Sequence, residues 1–263
     1  MGSATREAIA SAKAALAARS GEATLAAAEA LFSAGHVIGD SAQLQTALTD
    51  TSADPAAKDR LVKAIFGTLD SDARGLLSGL VSSRWSKPSD LLGGIEEVAI
   101  RIASLSADPS VDMPAELFAF GAAVSSSAEL ELAVASKLGD PDAKESLVGA
   151  LLNGKVSAQT MAIVKHLVRQ PRGRRIGALL RHASGIIADQ HAQTIATVTV
   201  ASPLSDTQVA RLEAGLAKKY GAVRVNQVVD PSVIGGMRIA VGDVVIDDSV
   251  ATRMKELKLQ LVG

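Results

Sequence analysis

Enzymes need side chains that pass protons, attack carbon or phosphorus, or hold a metal, and this 263-residue chain offers few of them. His36, His166, His182 and His191 are its only histidines. None has the short helical spacing to a second histidine and an acidic partner that a zinc hydrolase uses. Cysteine is absent, which excludes disulfides and thiolate nucleophiles. The serines fall where caps and turns are expected, so hydrogen bonding to backbone accounts for them. The chain therefore offers no catalytic residue, no metal site and no cofactor site.

Two glycine motifs invite a phosphate-loop reading and fail it. A dinucleotide fingerprint places its glycines between a strand and a helix, but Gly235-Gly236 precedes a strand, which predicts a turn or a close backbone approach. Gly154-Lys155 lacks the following Ser or Thr and the earlier glycine of a P-loop, and reads as a helix-ending turn.

One dense basic segment remains: Arg169, Arg172, Arg174, Arg175 and Arg181, with His166 and His182 nearby. It suits contact with acidic side chains of a partner, or with a phosphate backbone. The plain reading, a solvated loop and helix face, is favoured, since single-strand binders also need aromatic platforms that are missing here. Trp85, between Arg84 and Lys87, reads as a bundle-end anchor.

Composition narrows the class. With 48% hydrophobic and 21% charged residues the chain is a folded protein, and 27 basic against 28 acidic residues leave no global attraction to nucleic acid or anionic lipid. The first 18 residues include Arg6, Glu7 and Lys13 and lack the apolar core of a signal peptide. Apolar runs elsewhere are broken well short of the roughly 18 residues of a membrane helix, so a soluble protein without direct membrane insertion is expected. Only 2% aromatic content leaves the core to Ala, Leu, Val and Ile, which suits closely packed helices.

From Ala4 to about Gln190 the punctuation is that of short helices. Asp40 with Gln43 predicts a cap before Leu44 and Leu48, and Asp54-Pro55 opens the next helix, with Leu61, Val62, Ile65 and Phe66 at helical spacing. A repeat lies beneath. Ala42 and Ala128 differ by 128 minus 42, or 86. The same offset pairs Leu44 with Leu130, Asp54-Pro55 with Asp140-Pro141, Ala57-Lys58 with Ala143-Lys144, Leu61-Val62 with Leu147-Val148, and Val81 with Leu167. The matching caps and downstream spacing point to an internal duplication.

After Ala192 the period changes to two. Ala196, Val198 and Val200 alternate with threonines as a strand, and Ser205 with Gln208 forms a capping box for a helix with Val209, Leu212 and Leu216 as its stripe and Gly221 at its end. Val223 to Val229 and Met237 to Val241 read as strands, Gly242-Asp243 as a hairpin turn before Val244 to Ile246. Asp247 or Asp248 then caps a last helix with Val250, Met254, Leu257 and Leu261 on one face. The expected fold is mostly α: an Ala-rich helical bundle with internal duplication (1–106 and 107–192), followed by a small β-α-β-β-α module (193–263).

The segment VDPSVIGGMRIAVGDVVIDDSV, from Val229 to Val250, resembles the signature of the delta subunit family of F-type ATP synthases, also called the oligomycin-sensitivity-conferring protein. The features that carry it are Asp230, Pro231, Ile234, Gly235, Gly236, Gly242, Asp243, Asp247 and Ser249. The stretch from Pro203 to Gly221, Asp140 to Asn153, and Thr160 to Ile187 are also similar to the family. The chain is longer than the usual compact subunit, and the repeat accounts for the excess. The resemblance implies a non-catalytic peripheral-stalk subunit at the cytoplasmic face of the cell membrane. Its helical part would hold N-terminal segments of the alpha subunits, and its C-terminal module the b subunit. The alternatives are a generic helical adaptor, which has no reason to carry the signature, and a nucleic-acid-binding protein using Arg169 to Arg181.

Overall fold

The structure, a computed structural model, describes residues 2–18, 23–135, 139–242, 244–247, 250 and 254. It forms two compact units, Met1–Ile187 and Ala188–Gly263.

The first unit is helical. α1 (Ser3–Ala17), α2 (Leu25–Gly39), α3 (Ala42–Thr49), α4 (Pro55–Ile65), α5 (Ser71–Ser82) and α6 (Pro88–Leu105) form a first series. α7 (Met113–Ser125), α8 (Ala128–Ala135), α9 (Pro141–Leu152), α10 (Ala158–Arg169) and α11 (Ile176–Gln190) follow as a second, matching α2 to α6 in order. α4 and α9 open alike: proline stands at the first helical position, and Asp54 and Asp140 each accept the backbone N–H two residues on at 3.1 Å. Lys58 and Lys144, one turn in, are both buried.

The duplication is visible in the packing. Leu31 and Leu117, Leu48 and Val134, and Val62 and Val148 are buried pairs 86 residues apart. Gly35 and Gly121 share that offset and the same job: a Cβ on the first would stand 3.3 Å from Ile95 of α6, and on the second 3.3 Å from Leu180 of α11. Each glycine lets the long closing helix of its series approach.

The structure corrects two details of the sequence reading. α3 is capped by Ser41, whose hydroxyl accepts from Leu44 N, because Asp40 is already taken up as the end of α2. α5 and α10, twelve residues each, begin at 71 and 158, so their offset is 87. Val81 therefore matches buried Val168 and not Leu167. One extra residue before α10 shifts the register.

α6 is the axis of the unit. From Leu91 to Ser104 every residue except Gly93 is buried, because α6 packs on α1, α2, α3 and α5 and also on α10 of the second series. Apolar residues of both series join in one core, and each fully buried Leu, Ile or Val contributes roughly 1.5–3 kcal/mol. Among the described residues, no single helix is long and apolar enough to cross a membrane.

The second unit carries β1 (Gln193–Val200), α12 (Asp206–Tyr220), β2 (Ala222–Val229), β3 (Met237–Val241) and β4 (Val244–Asp247). The sheet order is β2-β1-β3-β4, with β1 and β2 parallel through the α12 crossover and the other pairs antiparallel. The capping box of Ser205 and Gln208 is present, and Gly221 ends α12 at φ +76°. Ala196, Val198 and Val200 meet Leu216 of α12 and Ile239 and Val241 of β3 in a separate small core. Of the expected closing helix, Val250 and Met254 are helical; Asp248, Leu257 and Leu261 lie outside the described residues.

Candidate functional site

The basic segment begins at the end of α10, and the charges there are largely answered within the chain. Arg169 bonds Asp142 and, at 3.0 Å, Glu145 on α9. Arg172 and Arg174, in the loop before α11, both reach Glu96 of α6, at 2.7 and 2.8 Å. Arg175, just before α11, is exposed, as are Arg181 and His182 on α11. His191 is exposed too.

Glu96 is the centre of this arrangement. It is 1% exposed, in the middle of the most buried helix of the chain. A carboxylate there is costly unless paired, and it has two guanidinium groups, with Arg174 contacting both oxygens at 2.8 Å. His166 of α10 adds a third contact: its Nε2 lies 3.4 Å from the carboxylate, long for a hydrogen bond, and has no better acceptor. Burial pushes the Glu96 carboxyl up, but His166, Arg172 and Arg174 outweigh it and hold it down to about 2.

The chain of contacts continues to α2. His166 Nδ1 is 2.8 Å from His36 Nε2 across nearly parallel rings whose centroids are 4.9 Å apart, and the His166 ring also stacks on Phe32 at 4.3 Å. Because Nε2 of His166 faces a carboxylate it carries the proton, so Nδ1 accepts from Nε2–H of His36. Both rings are thus neutral. Burial drives His166 down against the pull of Glu96, and burial first, then the charge His166 would carry if protonated and the positive charge of Arg169, drives His36 down to about 3.

The loop that delivers the arginines is held by polar contacts. Arg172 has φ +48°, a left-handed conformation that a non-glycine residue adopts only when its surroundings fix it. Gln170 donates from Nε2 to the Gly35 carbonyl of α2 at 3.2 Å, and a Cβ on Gly39 would stand 1.9 Å from that amide nitrogen, so α2 is notched to admit it. Trp85 is the bundle-end anchor expected of it: buried, it donates from Nε1 to the Leu80 carbonyl at 2.8 Å.

In the second unit the signature residues frame one loop. Asp230 accepts from Ser232 N, Gly235 and Gly236 have φ +156° and +78°, and Val250 N donates to the Gly235 carbonyl at 3.0 Å. Pro231 is exposed and Ile234 is 82% exposed. Gly242, at φ +56°, begins the turn between β3 and β4, whose flanking Val241 and Val244 are paired, and Asp247 pairs with Arg238 in register. Asp243 and Ser249 lie outside the described residues.

Sequence reasoning did not find the Glu96 hub or the contact of His36 with His166. A faint signal existed: Glu96 and Glu97 interrupt the apolar stripe of α6, and His166 lies within that of α10. Nothing local showed that α6 would be covered on all sides and bring them together. Gly154, at φ +70°, makes the predicted turn after α9. Among the described residues no three His, Asp or Glu side chains are arranged to hold a metal.

The described residues form a helical repeat held by internal ion pairs and, in the second unit, a small mixed-sheet module. The chain belongs to the ATP synthase delta (OSCP) subunit family, whose model matches residues 99–261. It is 54% identical over 263 residues to the ATP synthase subunit delta of Leifsonia xyli subsp. xyli, covering 100% of both chains. It is 40% identical over 226 residues to that of Streptomyces avermitilis, covering 84% of this chain and 82% of the relative. With that of Streptomyces griseus subsp. griseus it shares 38% identity over 272 aligned positions and 100% of both chains. A chain of the Toxoplasma gondii mitochondrial ATP synthase hexamer is 23% identical at a TM-score of 0.40, covering 64% of this chain and 96% of its own. The family is structural and the chain is not an enzyme.

Proposed function

We propose that the chain is a peripheral-stalk subunit of an ATP synthase, joining the catalytic head to the b subunit so that the head does not turn with the rotor. The observation that carries this is full-length similarity to ATP synthase delta subunits, through both the helical series and the C-terminal signature. Its place is the cytoplasmic face of the cell membrane, held there by its partners.

In this reading the parts divide as 1–106, 107–192 and 193–263. The helical part takes N-terminal segments of the alpha subunits, and the C-terminal module takes b. Buried area and several contacts in parallel resist torque without any chemistry. Arg175 and Arg181, exposed just before and on α11, are the members of the basic segment assigned to acidic groups of a partner. Arg169, Arg172 and Arg174 act inside the chain. Exposed Ile234, beside the Gly235-Gly236 turn, supports the assignment of b to the C-terminal module. A nucleic-acid reading has less support, since three of the five arginines are paired with carboxylates.

The test is affinity purification of the tagged chain from its own membranes. Recovery of alpha, beta and b subunits in fixed ratio is expected; recovery without them would overturn the assignment.

A further inference from the structure

The segment from Gln170 to Arg174 ties the second helical series to the first, and every tie is polar. Gln170 bonds the Gly35 carbonyl, and Arg172 and Arg174 share Glu96. No residue from 170 to 175 is a buried apolar side chain, so releasing this segment exposes little apolar surface. Its backbone is strained at Arg172 and would relax on release. What holds it is the charge of Glu96, and His36 and His166 stand against that charge.

We propose that this cluster is a proton-released latch between the two helical series: closed while His36 and His166 are neutral, and freeing the 170–174 segment once they take up protons, with both series remaining folded.

The neutral pair has a single direction, from His36 Nε2–H to His166 Nδ1 and from His166 Nε2–H toward Glu96. A first proton can be held if His36 reverses its tautomer. The site already carries one negative and two positive charges, so that proton raises its net charge from +1 to +2 in a buried place. His166 as imidazolium competes with Arg172 and Arg174 for the same carboxylate and repels both. A second proton sets two N–H groups head to head across 2.8 Å, which neither tautomer relieves.

The other charges around the pair do not supply a substitute acceptor. From α2, His36 itself faces the cluster. On α6, Asp90 acts on Arg172, and Glu97 is paired with Arg101 at 2.8 Å. On α10, Arg169 faces His36 but is held by Asp142 and Glu145 of α9. α7 contributes Glu116, bonded to Ser157 at the opposite end of α10. The latch stands on this geometry alone. That its release would slacken a stator rests on the proposed function, and the two fail separately: purification tests the function, exchange on the isolated chain tests the latch.

The experiment is amide hydrogen exchange on the full chain at pH 7 and pH 4.5, corrected for intrinsic rates. The reporters are the amides of Gln170, Arg174 and Ala178, which are bonded to carbonyls of His166, Pro171 and Arg175. Because proton uptake by the pair is disfavoured while the latch is closed, opening at pH 4.5 should rise by about tenfold or more over pH 7. Amides in α4, α5 and α9 keep their protection. His166→Gln should abolish the rise, and Glu96→Gln should open the segment at both pH values. If His166→Gln does not fold, His36→Gln, at a half-buried position, should reduce the rise at least fivefold. Unchanged exchange between the two pH values, protection lost evenly through both series, or a rise undiminished in the histidine variants would each overturn the latch.

Discussion

Gly94 and Trp85 are fitted to each other: a Cβ on Gly94 would stand 2.2 Å from Cη2 of the indole. The ring closes the end of the first series and cannot retreat, because its Nε1–H is fixed to the Leu80 carbonyl. Gly94→Ala should therefore destabilise by about 1–3 kcal/mol despite its better helix propensity. Gly79→Ala is the control. Gly79 is exposed within α5 with nothing near its would-be Cβ, so alanine there should stabilise by about 0.5–1 kcal/mol. Urea unfolding of the two variants should give opposite signs; equal signs would show that the indole can move.

The matched caps of the two series give a second expectation. Asp54 and Asp140 accept N–H bonds of equal length ahead of equivalent helices. Asp54→Ala and Asp140→Ala should each cost about 1 kcal/mol. The double variant should cost about their sum, since the caps lie on different helices and share no partner. A cost at only one site would mean that the duplicated motif has kept its sequence and lost its role.

These expectations show how much was legible beforehand and why. Caps, turns and periodicity are local, so Asp54, Asp140, Ser205, Gly221 and the strands after Gln193 could be read along the chain. The duplication was legible because its caps repeat with their spacing. The Glu96 cluster was not, because it joins positions 36, 96, 166, 172 and 174 that meet only when α6 is covered by both series. The basic segment misled for the same reason. Arginines dense in sequence suggest a surface, but their carboxylate partners lie on α6 and α9.

Loss of Glu96 should be among the most damaging single changes. Glu96→Gln leaves Arg172 and Arg174 without their anion, and breaking such a buried pair costs on the order of 3 kcal/mol. The cost is moderated because both guanidiniums reach solvent. Glu145→Gln, whose Arg169 keeps Asp142, should cost under about 1 kcal/mol. Calorimetric melting of both variants compares them directly, and a Glu96 effect no larger than that of Glu145 would mean the hub is not holding the fold.

The depressed groups fix the sign of the pH dependence. His36 is about 3 in the folded chain and 6.5 when unfolded, so the unfolded state binds the extra proton and stability falls as pH drops from 6.5 toward 3. Each such histidine contributes a slope of up to about 1.4 kcal/mol per pH unit. Glu96, at about 2 folded against 4.5, contributes in the same direction only below about pH 4.5. Loss between pH 6.5 and 5 should therefore belong to histidine, and His36→Gln should reduce it, leaving the share of His166. Urea midpoints at pH 7.5, 6 and 5 decide this: a wild-type value that is level across the range would contradict the neutral, buried pair.

The separate cores of the two units lead to the last expectation. Ala196, Val198, Val200, Leu216, Ile239 and Val241 make a core of their own, and among the described residues the helical core is a separate cluster. A chain ending at Gln190 should keep its helical signal and cooperative unfolding. Under the proposed division of partners it should still bind isolated catalytic head, or a peptide of the alpha N-terminus, with affinity near that of the full chain. Capture of b should disappear, so that the assembled enzyme hydrolyses ATP without moving protons. The released module is about 70 residues long and would be only marginally stable alone, which makes the truncated chain the better test piece. Both affinities are measurable by calorimetric titration. If head binding vanishes together with b binding while circular dichroism shows intact helices, the head contact includes the C-terminal module and the division is wrong.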